Sequence, residues 1–125
     1  MSQPWTDLFT INRQVLMERN LAGVTQSQAD RAPAPSVNSI TWILSHLVDN
    51  RRWLLGTALE SRYRPTDPEP KGLERLMAAM DEAQAALGEA FDAVPDGNEG
   101  RPHPAVQTSM PLCQIVGTFF MEEAY

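Results

Sequence analysis

The sequence predicts an all-α fold, a four-helix bundle in one domain over residues 1–125, and three observations carry that prediction. Apolar side chains recur at helical spacing in four stretches. Prolines gather in the connections between those stretches, where a helix cannot continue. Strand-like alternation is not sustained anywhere along the chain. Four amphipathic helices can bury their stripes only against one another, which is the logic of a bundle. Two long connections leave the order of the helices around it open.

The first helix is expected from about Thr6 to Leu21, just after Pro4. At about 100° per residue, Trp5, Leu8, Phe9, Asn12, Val15 and Leu16 share one stripe. A polar stretch from Gln26 to Pro35, with two prolines, reads as a loop. The second helix runs to about Ala58, with Ser36 or Asn38 as its cap. Its stripe is Ile40, Ile43, Leu44, Leu47, Leu54, Leu55 and Ala58, with Arg51 in the middle. Trp42, His46 and Trp53 lie together on an adjacent side, so this helix should touch more than one neighbour.

The connection from Glu60 to Pro70 holds Pro65, Pro68 and Pro70 and cannot be helical throughout. A third helix follows from about Lys71 to Ala93, burying Leu73, Leu76, Met77, Met80, Leu87 and Phe91. The stretch from Pro95 to Thr108 is rich in turn residues and lacks apolar periodicity. The fourth helix begins near Ser109, with Pro111 in its first turn and Leu112, Ile115, Val116, Phe119 and Phe120 on its stripe.

Composition narrows the function. The net charge of −6 and the scattered basic residues argue against nucleic acid, since phosphate contacts need clustered Lys and Arg. No stretch approaches the roughly 18 apolar residues of a membrane span, and the amino terminus lacks the pattern of a signal peptide. The single cysteine, Cys113, forms no internal bridge and suits a reducing compartment, so a soluble cytoplasmic protein is expected. On the shoulder of its stripe, Cys113 reads as a packed thiol rather than a nucleophile. Phosphate loops, dinucleotide fingerprints and nucleophile elbows are absent.

Two features carry chemistry. The periodicity of the fourth helix is still running at Tyr125, with no closing signal, so that helix is expected to be cut short. Glu123 falls at the centre of its apolar stripe and Glu122 on the flank. A carboxylate directed inward must be paired, protonated or metal-bound. Three outcomes stay open: a frayed turn with both glutamates in water, pairing with Arg51, or metal ligation. His46, the one histidine on a helix, has Trp42, Ile43, Asp49, Asn50 and Trp53 around it. From spacing alone it fits a hydrogen-bonded core residue better than a ligand. His103, between two prolines, reads as a surface residue.

The run Asn38-Ser39-Ile40-Thr41-Trp42-Ile43-Leu44-Ser45-His46-Leu47-Val48-Asp49-Asn50-Arg51-Arg52-Trp53-Leu54-Leu55 resembles the second helix of the DinB-like family. The end, Phe119-Phe120-Met121-Glu122-Glu123-Ala124-Tyr125, resembles the start of that family's fourth-helix motif, His-Glu-x-x-His before x-Gly-Gln. The resemblance implies a four-helix bundle, a homodimer, and a zinc or nickel ion held by one histidine of the second helix and two of the fourth. It also implies a metal-dependent hydrolase, or a transferase of thiol-linked groups, whose small-molecule substrate stays open; the absence of nucleic acid and membrane partners is expected from the charge and hydropathy above.

Carried over by position, His46 matches the second-helix ligand, and Glu122 stands where the first fourth-helix histidine would be. The second would fall one residue past Tyr125. Carboxylates also ligate zinc and nickel. The metal residues are therefore His46 and Glu122, with Asp49, Asn50, Arg51 and Glu123 around them. The alternative is a non-catalytic structural and dimerising bundle with an incomplete site.

Overall fold

A computed structural model describes residues 3–95 and 110–124. His103, Tyr125 and nearly all of the connection expected from Pro95 to Thr108 lie outside the described residues. Within them the elements are helical throughout: α1 (Gln3–Gln14), α2 (Gln26–Asp30), α3 (Ile40–Trp53), α4 (Leu73–Ala93) and α5 (Leu112–Ala124). Two helices end in wider, π-helical turns, α1 through Val15–Asn20 and α3 through Leu54–Ala58. With those extensions, α1, α3, α4 and α5 are the four helices expected, and their bounds agree within a few residues.

Three local features depart from expectation. The stretch from Gln26 to Asp30 is a short helix, begun by a capping box in which Thr25 Oγ1 accepts from Gln28 N and Gln28 Oε1 accepts from Thr25 N. It carries little apolar periodicity, only Ala29 being buried, so no stripe announced it. The cap of α3 is Ser39, whose Oγ accepts from Trp42 N, rather than Ser36 or Asn38. Pro111 stands just before α5, and its carbonyl accepts from Ile115 N.

The interior divides into two clusters. One gathers Phe9, Leu54, Leu55, Ala83, Leu87, Phe91, Ile115 and Val116 from α1, the end of α3, α4 and α5. The other gathers Met17, Leu21, Ala29, Leu44, Leu47, Leu76 and Met80 at the opposite end, where α2 helps close the bundle. The helix α4 packs against both α1 and α3, while α5 packs against α1 and α3 from the other side. Phe119 stacks on Trp53 with centroids 5.2 Å apart, and Asn50 Nδ2 donates to Glu122 Oε2, so α5 runs antiparallel to α3.

The connection before α4 is tied down by polar contacts. Glu82 Oε1 accepts from Tyr63 Oη at 2.6 Å and from Thr66 N at 2.9 Å. Arg52 donates to the carbonyls of Asp67 and Pro68, and Arg75 holds both carboxylate oxygens of Asp67. Gly72 starts α4 at φ +87°, a conformation that disfavours side chains, while Gln26 Oε1 accepts from Leu73 N at 2.6 Å. That bond ties α2 to the beginning of α4.

A buried ion pair beside an open polar edge

Arg51 belongs to the core stripe of α3 and is 1% exposed. A guanidinium can lie there only if its donors are met. Nε donates to Glu123 Oε1 at 2.6 Å and one Nη donates to Glu123 Oε2 at 3.1 Å. The other Nη donates to Gln84 Oε1 at 2.7 Å, and a further bond reaches the Phe9 carbonyl. The guanidinium carbon also lies 5.5 Å from the centre of the Phe9 ring.

Glu123 is equally enclosed, its side chain 4% exposed, and Asn12 Nδ2 adds a longer bond at 3.4 Å while also donating to the Phe120 carbonyl. Gln84 continues the chain by donating to Thr10 Oγ1, which donates to the Thr6 carbonyl. Of the three outcomes left open for the inward glutamate, the ion pair with Arg51 is the one observed. Glu123 is thereby committed to joining α1, α3, α4 and α5.

Its neighbour Glu122 lies one helical step around α5 and faces outward along α3. Asn50 Nδ2 donates to Glu122 Oε2 at 3.1 Å and stands 3.4 Å from His46 Nε2. His46 is exposed rather than the core residue that spacing suggested, because α3 turns Leu44, Leu47 and Val48 inward and leaves this edge to solvent, and its ring stacks on Trp42 at 5.3 Å with an interplanar angle of 15°. Trp42 is itself 52% exposed, unusual for so large an apolar ring. The spacing of α3 puts Trp42, His46 and Asn50 on one edge, four residues apart, and the ion pair sets the last turn of α5 beside it. Asp49 is exposed on α3, with no contact to Glu122 among those described.

The structure thus brings His46, Asn50 and Glu122 together, and it assigns Arg51 and Glu123 to the interior. Sequence reasoning missed the roles of Asn12 and Gln84. For Asn12 a signal existed, since it is a polar residue on the apolar stripe of α1. The donor types of His46 and Glu122 suit a zinc or nickel ion. Among the described residues, no three His, Cys, Asp or Glu side chains converge on one point.

Long helices packed side by side around two apolar clusters define the class of the fold as a helical bundle. The sequence profile of the DinB superfamily matches residues 8–125, and the chain belongs to that superfamily. No curated protein and no solved structure matches the chain. No helix among the described residues is long and apolar enough to cross a membrane.

Proposed function

We infer that this chain is a divalent-metal-binding member of its superfamily, working on a small molecule at the edge where α3 meets α5. The observation that supports this reading is the convergence of His46 Nε2 and Glu122 Oε2 on the same Asn50 amide nitrogen. His46 and Glu122 would hold the ion, zinc or nickel. Bound there, it would polarise a substrate carbonyl and lower the pKa of a coordinated water or thiol, chemistry that serves hydrolysis or transfer of a thiol-linked group.

The chain's own residues do the rest. Arg51 and Glu123 fix the last turn of α5, so Glu122 is presented rather than left to fray. The Trp42 ring restrains His46 by stacking. Trp42, Ile43, Trp53 and Met121, exposed on α3 and α5, offer apolar area for a second copy, and a homodimer belongs to the proposal. The free Cys113 suits a reducing, cytoplasmic setting.

Titration of zinc and of nickel into the metal-stripped protein, beside His46→Ala and Glu122→Gln variants, tests the reading. Stoichiometric uptake that falls at least tenfold in both variants supports it; uptake that is absent, or indifferent to both changes, refutes it. The second reading, a structural bundle without catalysis, draws on the buried Arg51–Glu123 pair, which accounts for one of the two glutamates by folding alone.

A further inference from the structure

The Asn50 amide stands between the two side chains that the proposed function treats as ligands, and its orientation follows from electrostatics. The group facing Glu122 Oε2 at 3.1 Å must be the NH2, because an amide oxygen there would oppose a carboxylate oxygen. That NH2 has two hydrogens. One goes to Glu122, and His46 Nε2 stands 3.4 Å from the same nitrogen, within reach of the other.

A neutral imidazole meets such a donor with its bare nitrogen. If Nε2 carried the hydrogen, two N–H groups would face each other. Glu122 therefore fixes the amide, and an imidazole that accepts from it carries its hydrogen on Nδ1, with the lone pair of Nε2 aimed across the edge. The nearly parallel Trp42 ring restricts rotation that would turn the lone pair away. Neutral histidine in water favours the opposite form, with hydrogen on Nε2, so an Nδ1–H form at His46 is the mark by which the amide's influence is read.

We propose that Asn50 is the positioning residue of this edge: its NH2 bridges His46 and Glu122 and holds His46 in the Nδ1–H form, and a half-turn of the amide presents Oδ1 as a third donor beside them. Both terminal groups of an asparagine have nearly the same shape, so the half-turn needs little space. It exchanges a weakly positive NH2 for an oxygen, which is what a divalent ion between an imidazole and a carboxylate requires. The third donor that no His, Cys, Asp or Glu supplies among the described residues is then an amide. The half-turn rests on the metal reading above; the tautomer does not.

The test has two arms. In metal-free, nitrogen-15-labelled protein at pH 8, imidazole nitrogen shifts report the tautomer of His46, with the signals of His103 assigned by a His103→Gln change. Wild type is expected to be mainly the Nδ1–H form, and Asn50→Ala mainly the Nε2–H form. A wild type that is mainly Nε2–H, or an Asn50→Ala variant that does not change, overturns the positioning role. In the second arm zinc alone is titrated into wild type, Asn50→Asp and Asn50→Leu.

Binding at least tenfold tighter in Asn50→Asp and tenfold weaker in Asn50→Leu supports the half-turn, whereas equal affinity in all three overturns it. A wild type that takes up no zinc overturns the metal reading together with the half-turn. The first arm then decides the positioning role alone. Retained helical circular dichroism in each variant separates these effects from unfolding.

Discussion

Replacing Arg51 by methionine tests the interior most directly. The change keeps an unbranched stem of similar length and removes the guanidinium. Lost with it are the two-pronged contact to Glu123, the 2.7 Å bond to Gln84 and the bond to the Phe9 carbonyl. What remains is a carboxylate 4% exposed, facing only the 3.4 Å contact from Asn12. Stranding one partner of a buried pair costs about 3–5 kcal/mol. A domain's whole stability is about 5–15 kcal/mol. For a chain of this size the thermal midpoint should fall on the order of 10–20 °C.

Urea unfolding followed by circular dichroism measures the change, and a double-mutant cycle with Glu123→Leu assigns it. The paired change removes both charges and should recover about 2 kcal/mol or more of the single loss, since apolar replacement of a buried pair is often nearly neutral. A single variant within about 1 kcal/mol of wild type, or strict additivity in the cycle, would refute the claim that these two side chains hold each other in the interior.

Two further outcomes follow from local geometry. Ser39→Ala removes the cap of α3 and should cost about 1 kcal/mol in the same unfolding assay, whereas Ser36→Ala and Asn38→Ala should change little. The strap before α4 should respond to pH at both extremes. Burial and Glu82 push the Tyr63 hydroxyl up to about 12 from 10.0, so its contribution is present below pH 10 and fades as pH rises through about 12. Bonds from Thr66 and Tyr63 hold the Glu82 carboxyl below its ordinary 4.5, so its contribution is present above that value and fades as pH falls through the lowered one. Ultraviolet titration should find an alkaline tyrosine step that Glu82→Gln moves toward 10.

Much of this architecture was legible in the residues because apolar spacing dictates helices and prolines dictate breaks. Arg51 showed itself as a charge in the middle of an apolar stripe, and Glu123 as another on a different helix. Each required a partner, and burial made the two meet. Periodicity could not say which of the adjacent glutamates would turn inward for good, because that depends on how α5 rotates against α3. Short or distant arrangements were harder to read. The helix α2 is signalled only by Thr25 and Gln28, and the π-helical turns at Val15–Asn20 and Leu54–Ala58 left no mark in the pattern. The bonds of Tyr63 and Thr66 to Glu82 cross long stretches of sequence without any periodic trace.

The two glutamates that close α5 are consecutive, so one rigid turn of backbone carries an inner hook and an outer finger. Pulling on the finger loads the hook. Through Arg51, Gln84 and Thr10 that load reaches α3, α4 and α1. Coupling of this kind is reciprocal: whatever steadies the hook also sharpens the aim of the finger. Substitutions deep in the bundle, far from any solvent, should therefore be felt at the rim where His46 waits.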